Sequence, residues 1–252
     1  MRIGMDTGIG GGNSRFPATE WSAVVAAASA DPIERTRALD TLIAAYWKPV
    51  YKYIRIKWHK SNEDAKDLTQ GFFALVIEKS FFKSYDPAKA RFRTFLRTCL
   101  DGFISNEEKA ARRIKRGGAA VLLSIDFESA EGEIERSGGL APETPDHYFD
   151  KEWIRSLFGL AVERFKAECE AEGKSIHFQL FESYYLNETD ESGRITYDRL
   201  AEESGISVSK VTNYLAYARR EFRRIVLEKL REITATDEEF RREARSLLGV
   251  EI

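Results

Sequence analysis

Cysteine and long apolar runs are scarce in this 252-residue chain. Its two cysteines, Cys99 and Cys169, lie far apart and form no CxxC pair, so the sequence predicts neither a disulfide framework nor a zinc site. No apolar run approaches the roughly 20 residues that cross a bilayer, and the first residues lack the order of charged and apolar residues found in a signal peptide. We therefore expect a protein of the reducing cytoplasm that has no membrane partner.

Residue patterns that carry catalysis are also missing. The three histidines, His59, His147 and His177, are scattered and show no HExxH spacing. The glycine-rich GIGGGN near the start of the chain precedes no strand-like segment, so it does not qualify as a dinucleotide-binding fingerprint. The sequence thus predicts a protein that is not an enzyme and that binds no cofactor or metal.

Positive and negative charges nearly balance over the whole chain, but they are concentrated in different segments. The formal net charge is −2. Residues 86–116 contain nine basic and four acidic residues, and residues 207–231 contain seven basic and two acidic residues, so each segment has a net charge of +5. Between them, residues 124–150 contain eight acidic residues and one basic residue, a net charge of −7. Solvated helix faces and a polar tether would explain these segments, but two basic segments are also what phosphate binding requires.

Apolar residues recur three and four positions apart through most of the chain, and this spacing predicts amphipathic helices and an all-α fold. Thr19 is expected to cap a short helix over residues 20–29. Asp31 and Pro32 are expected to begin the next helix, as its N-cap and first residue.

Two helical domains are predicted on either side of an acidic linker. The linker, residues 117–150, shows no sustained periodicity and contains Gly138, Gly139, Pro142 and Pro145, which favour loops. The predicted divisions are a disordered N-terminus, a first helical domain, the linker, a second helical domain and a C-terminal helix, at residues 1–15, 16–116, 117–150, 151–233 and 234–252.

Residues 196–224 match the requirements of a helix-turn-helix. Ala201 supplies a small side chain where two helices touch, and Gly205, four residues later, tolerates the positive φ of the turn. Ser207 is then expected to cap the second helix. Four residues of that helix are assigned to packing: Val208, Val211, Leu215 and Ala218. An ordinary helical hairpin with a charged face is the alternative.

The outward face of this second helix is suited to DNA. Side chains near its start can meet base edges in a major groove. They are Ser209, Lys210, Thr212, Asn213 and Tyr214. Arginines further along are expected to contact phosphates, which positions a protein on DNA without reading its sequence. They are Arg219, Arg220, Arg223 and Arg224. A helix-turn-helix alone does not distinguish a repressor from other DNA-binding classes.

The N-terminal half supplies a family resemblance. DAKDLTQGFFALVIEK, residues 64–79, resembles region 2.2 of the sigma-70 family of bacterial transcription initiation factors, the helix that docks on the β′ clamp helices of RNA polymerase. The following stretch, YDPAKARFRTFLRTCLDGFISNEEKAARR, resembles regions 2.3 and 2.4, with Phe95 in place of the usual tryptophan. The resemblance covers residues 36–113 and 151–231.

The resemblance is to the extracytoplasmic-function type, because the acidic segment stands where region 3 of larger sigma factors would lie. FPATEWSAVV near the start, the DLTQGFF form of the docking helix and the long C-terminal domain resemble a subgroup common in planctomycetes and acidobacteria. This likeness implies a region 2 helical bundle and a region 4 helix-turn-helix. It also implies two partners, core RNA polymerase, bound through its β′ clamp helices and β flap, and promoter DNA.

The resemblance further implies roles for individual residues. The expected polymerase contacts are Asp64, Asp67, Leu68 and Gln70. A loop is expected to capture an unstacked base of the promoter element nearest the start site, with stacking and phosphate contacts from Lys83, Tyr85, Lys89 and Arg91. The residues expected to hold the DNA backbone are Arg93, Arg97, Arg112 and Arg113. The residues expected to read the upstream (minus thirty-five) element are Thr212 and Asn213, flanked by Lys210 and Tyr214.

One departure from the family pattern suggests regulation. Many relatives have an acid directly after the region 2.2 glutamine, where this chain has Gly71. Phosphorylation of Thr69, two residues away, would restore negative charge to this helix and promote polymerase binding. A Ser/Thr kinase would then be the regulator, and an anti-sigma factor is the other candidate. The alternative is that Thr69 is simply a buried or capping hydroxyl.

Other functions remain open at this point. A stand-alone helix-turn-helix regulator would bind duplex DNA without polymerase and would usually dimerise. A helical protein-interaction adaptor would not bind DNA. The acidic linker is either a mimic of nucleic acid or a solvated tether, and the C-terminal helix covers either the second domain or an interface.

Overall fold

Helices make up all the regular structure of the described residues, which confirms the predicted all-α fold. The computed structural model describes residues 22–78, 81–111, 125–136, 144–187 and 195–249, and the predicted disordered N-terminus lies outside these ranges. The α-helices are α1 (Ala23–Ala26), α2 (Pro32–Lys57), α3 (Asn62–Glu78), α4 (Phe92–Ala111), α5 (Phe127–Arg136), α6 (Pro145–Ala171), α7 (Ser175–Phe181), α8 (Tyr197–Ser204), α9 (Val208–Glu232) and α10 (Asp237–Leu248). A 3-10 turn over Phe81–Ser84 precedes α4, and a π-helical turn over Glu182–Leu186 continues α7. None of these helices is long and apolar enough to cross a membrane.

Local capping residues explain where the first helices begin. Asp31 Oδ1 accepts a hydrogen bond from Ile33 N at 3.0 Å, and Pro32 occupies the first helical position, as predicted. α1 is shorter than predicted, because Ser22 caps it by accepting a backbone N–H. The expected cap, Thr19, lies outside the described residues.

The predicted extended linker is wrong for two stretches, both of which are helical. α5 lies within it and buries Phe127 and Ala130, three residues apart on one face. α6 begins at Pro145, ahead of the predicted boundary at 151, because Thr144 caps it and proline is favoured at the first helical position. Apart from residues next to these helices, the rest of the predicted linker lies outside the described ranges.

One hydrophobic core spans the predicted boundary between the two domains. The first half of α6 packs against α2 and contributes Phe149, Trp153 and Leu157 to this core. The second half packs against α7 and α9, with Phe165 in a neighbouring cluster. Residues of α9 and α10, Phe240 among them, also belong to the first core. The described helices from α2 to α9 are therefore joined through α6, and α10 packs on the first core as well.

Charged residues between α2, α5 and α6 are paired inside the fold. Lys52 Nζ lies 2.6 Å from carboxylate oxygens of both Glu133 and Glu152, and the side chains of Lys52 and Glu152 are only 2% and 1% exposed. Glu131 forms an ion pair with Arg55. A buried charge is stable only when it is paired and hydrogen-bonded, so these contacts tie α5 to α2. This part of the acidic segment is thus not a solvated tether.

Candidate nucleic-acid interface

Two helices joined by a turn, α8 and α9, lie where the sequence predicts a helix-turn-helix. Gly205 in the turn has φ of +65°, the left-handed conformation that favours glycine. Ser207 Oγ accepts a hydrogen bond from Lys210 N at 3.4 Å and caps α9. Ala201 of α8 packs in the cluster that includes Leu215 of α9. Local sequence thus sets both the turn and the start of α9.

The first turns of α9 present four of the five predicted base-reading residues to solvent. Ser209, Lys210, Thr212 and Asn213 are all exposed. The fifth, Tyr214, is half-buried because its ring stacks on His177, with 4.1 Å between ring centroids and 32° between planes. These residues therefore form one exposed polar surface at the start of α9, which we call the α9 face.

Val208 does not pack as predicted. Its side chain is 40% exposed, whereas Val211, Leu215 and Ala218 are fully buried. Val208 is the first residue of α9, next to the capping Ser207. The apolar stripe of α9 thus begins at Val211, and Val208 borders the α9 face.

The arginines of α9 fall into two groups. Arg219, Arg220 and Arg223 are exposed, as a phosphate contact requires. Arg220 also pairs with Glu221 at 3.2 Å, but its side chain remains 68% exposed. Arg224 differs because it pairs with carboxylates on two helices, α6 and α9, so the phosphate contact predicted for it is not supported in this arrangement.

His177 of α7 supports the α9 face from beneath, a role that sequence spacing did not reveal. Its ring lies between Tyr214 and Tyr217, with centroid distances of 4.1 and 5.0 Å. Its Nδ1 is buried without a hydrogen-bond partner among the described residues. Burial lowers the pKa of His177, so the neutral ring is favoured as an aromatic spacer.

The predicted polymerase-docking helix is α3, and it exposes acids. Asp64 and Asp67 are exposed, while Leu68 and Gln70 are half-buried. Asp64 N also donates to Ser61 Oγ at 3.1 Å, which caps the helix. α3 therefore offers a negatively charged surface next to a partly accessible apolar side chain.

Thr69 lies on the opposite, buried side of α3. It is fully buried, and its hydroxyl donates to Ala65 O at 2.7 Å. A kinase cannot reach this hydroxyl in the described arrangement, which favours the alternative interpretation of Thr69 as a buried hydroxyl. Packing also explains the glycine at position 71, because a Cβ there would lie 3.3 Å from Phe103 Cζ of α4.

The loop before α4 is partly held by the rest of the fold. Tyr85 is half-buried between Phe92 and Phe95, with centroid distances of 5.3 and 5.2 Å, and its hydroxyl donates to Ala90 O at 3.1 Å. Lys89 is exposed and lies 3.5 Å from Asp86. Of the residues expected to contact an unstacked base, Lys89 is thus accessible and Tyr85 is packed.

Acidic residues of α6 and α10 cover the basic start of α4. Arg91 and Arg93 both pair with Glu243, at 3.1 and 2.6 Å. Arg93 also pairs with Asp150 at 2.9 Å, and its guanidinium lies 4.6 Å from the ring centroid of Trp153. These two arginines are therefore engaged within the protein and are not open to a DNA backbone in this arrangement.

Arg97, one turn further along α4, pairs with Asp146 of α6 at 2.9 Å. The other residues predicted to contact DNA here cannot be placed. Arg112 and Arg113, together with the side chain of Lys83, lie outside the described residues. Helical spacing indicated which face these arginines occupy, but it carried no signal for the acids opposite them.

The α9 face and the arginines after it expose hydrogen-bonding groups and cations, whereas α3 exposes carboxylates. No group of three or more His, Cys, Asp or Glu side chains within the described ranges could hold a metal ion. Cys99 and Cys169 are free, and burial raises the pKa of both thiols. In comparisons with known proteins, no family model, no curated protein and no solved structure matches this chain.

Proposed function

We propose that this protein is a transcription initiation factor of the sigma-70 type, which binds core RNA polymerase and directs it to promoters. The observation that carries the proposal is the α9 face, an exposed set of polar side chains at the start of the second helix of a helix-turn-helix. An α-helix of this kind fits into the major groove of DNA, where hydrogen-bond donors and acceptors on the base edges distinguish the base pairs.

On DNA, the α9 face would read the upstream promoter element. Lys210 and Asn213 offer side chains that pair with guanine and adenine edges, and both are exposed. Arg219 and Arg223 follow on the same helix and are exposed, so they would contact phosphates and fix the register of α9.

On polymerase, α3 would be the docking helix. Exposed Asp64 and Asp67 give it a negatively charged surface that fits basic residues of a clamp helix, and half-buried Leu68 adds apolar contact. The resemblance of residues 64–79 to region 2.2 supports this assignment. A stand-alone helix-turn-helix regulator has no use for such a helix.

Co-purification with bacterial core RNA polymerase tests the proposal. We expect the wild-type chain to associate with polymerase and an Asp67→Arg, Gln70→Ala variant to lose that association, because charge reversal disrupts the docking surface. Glu163→Arg is the matched control, since Glu163 is exposed on α6 and its reversal leaves α3 intact.

The outcomes separate the candidate functions. Loss of association in the α3 variant alone supports the sigma-type function. Binding to duplex DNA with no polymerase association in any variant would instead indicate a stand-alone regulator. Absence of both activities at low salt would indicate a protein-interaction adaptor.

A further inference from the structure

Two carboxylates of α10 contact the basic residues and the backbone at the start of α4. Glu239 Oε1 accepts a hydrogen bond from Phe92 N at 2.8 Å, and Glu243 pairs with Arg91 and Arg93. Glu239 and Glu243 are one helical turn apart and are only 6% and 2% exposed. One face of α10 thus presents two buried negative charges to a cluster of donors on another part of the chain.

The donors that hold these carboxylates are the ones that proteins use for phosphates. On α4 and the residue before it, they are a backbone N–H at the start of this 20-residue helix and two guanidinium groups. Glu239 Oε2 also accepts a hydrogen bond from Ala235 N at 2.9 Å and lies 3.4 Å from Tyr85 Oη. A helix N-terminus and arginine both bind phosphate as readily as carboxylate. We call this set the α4 anion site, formed by Phe92 N–H, Arg91 and Arg93, and Glu243 and Glu239 occupy it.

α10 is a short helix that packs on α9 and contributes Phe240 and Ala244 to the first core. α10 has 12 residues and follows α9 after only residues 233–236. Its apolar side is anchored by Phe240, which packs under the guanidinium of Arg231 at 4.0 Å, and by buried Ala244. Opening of α10 would move these apolar contacts and both carboxylates together, while α9 could remain helical.

We propose that α10 is an autoinhibitory cover, whose Glu239 and Glu243 occupy phosphate-binding positions of the α4 anion site and must leave before single-stranded DNA can enter. The inference rests on the proposed function and on the family resemblance, which implies that residues 83–91 contact an unstacked promoter base and that Arg93 holds the DNA backbone. Carboxylate and phosphate compete for the same donors, so closure of α10 and binding of DNA exclude each other.

Two single variants of α10 provide a matched test. Glu243→Gln removes a charge from the α4 anion site, while Glu238→Gln removes the same charge from a side chain of the same helix that is 86% exposed. The probe is a fluorescein-labelled single-stranded DNA of about 12 nucleotides, within the usual site size of single-strand binders. Fluorescence anisotropy at low salt measures its affinity for the full chain. Hydrogen exchange of α10 measures opening in the same variants.

We expect Glu243→Gln to bind the oligonucleotide about fivefold to tenfold more tightly than wild type, because the apparent affinity rises with the fraction of open molecules. Exchange of α10 amides should rise in parallel, and Glu238→Gln should match wild type in both measurements. Adding Arg91→Ala to Glu243→Gln should remove the gain, since Arg91 belongs to the α4 anion site.

Three results would overturn the cover. Equal gains in DNA affinity for the two single variants would show a general charge effect. Faster hydrogen exchange of α10 without tighter DNA binding would show that α10 does not compete with DNA. No DNA binding by any variant would show that the α4 anion site does not bind DNA. The co-purification experiment uses α3 and is independent of α10. Polymerase association that persists alongside any of these results would leave the proposed function standing while removing the cover.

Discussion

At the scale of single residues, polar groups inside the fold are held by specific partners. Lys52 is 2% exposed and lies between buried Glu152 and half-buried Glu133, so charged groups from three helices meet at one position. Replacing Lys52 leaves buried Glu152 paired with Arg155, whose side chain is 65% exposed, and a buried charge that has lost its buried partner costs more than the pair itself contributes to stability. Such a cluster specifies which helices meet.

Lys52→Met is expected to lower the free energy of unfolding by about 3–5 kcal/mol, because Glu152 loses its buried cation. Lys48→Met is the control, since Lys48 pairs with Glu133 at 2.8 Å but is 26% exposed, and its loss should cost less than about 1 kcal/mol. Urea denaturation measures both values. Equal costs for the two variants would contradict the burial argument.

Thr69 provides a second test at this scale. Thr69→Val keeps the shape of a fully buried side chain and should cost about 1 kcal/mol, through loss of the hydroxyl bond to Ala65 O. Thr69→Glu places a carboxylate in the core and should cost several times as much. If thermal unfolding showed Thr69→Glu to be as stable as Thr69→Val, α3 would be loose enough for phosphorylation.

At the scale of secondary-structure elements, the local sequence is enough to predict a turn or a helix start wherever a few adjacent residues determine it. The turn at Gly205, the cap at Ser207 and the start of α2 at Pro32 were predictable because each depends on neighbours in the chain. The sequence does not predict α5 or the start of α6. Proline generally favours loops, whereas the threonine before Pro145 makes this proline the first residue of a helix.

A pair of glycine substitutions tests the turn. Gly205→Ala should destabilise the protein by about 1–2 kcal/mol, because its φ of +65° places a Cβ against the backbone. Gly159→Ala should instead stabilise it by about 0.4–1 kcal/mol, since Gly159 lies within α6 and a Cβ there meets nothing within 4 Å. Denaturant titrations compare the two, and shifts of the same sign would contradict the assigned turn.

The docking of α5 on α2 should depend on pH. The hydrogen bond from Arg55, helped by one from Tyr51, holds the pKa of Glu131 below its usual value of 4.5. A carboxyl whose pKa is lowered by folding stabilises the fold above its unfolded pKa and loses that contribution as the pH falls through the folded pKa.

Glu131→Gln should therefore reduce stability near neutral pH and have little effect well below the usual pKa of 4.5. Urea denaturation of wild type and variant at both pH values gives the difference. Glu128→Gln, at an exposed position of the same helix, should show a smaller difference at neutral pH. A Glu131→Gln effect that is independent of pH would contradict the ion pair with Arg55.

At the scale of the whole molecule, α6 and α10 join the two predicted halves. Phe149 and Phe240 contribute to the same core as α2, and Arg93 contacts acids from both α6 and α10. Helical periodicity places Phe240 on an apolar face and Arg93 on a charged one, whereas Phe149 lies in the predicted linker. It carried no information on which distant helix would face them, because partners far apart in sequence leave no local pattern.

Promoter-directed initiation tests the central claim most directly. Core RNA polymerase would transcribe fragmented genomic DNA from the source organism with and without this protein, and sequencing of transcript 5′ ends would locate the start sites. The account predicts a set of start sites that appears only with the protein, shares an upstream sequence, and is lost or altered by Asn213→Ala in the exposed α9 face. Start sites that are the same with and without the protein would contradict it.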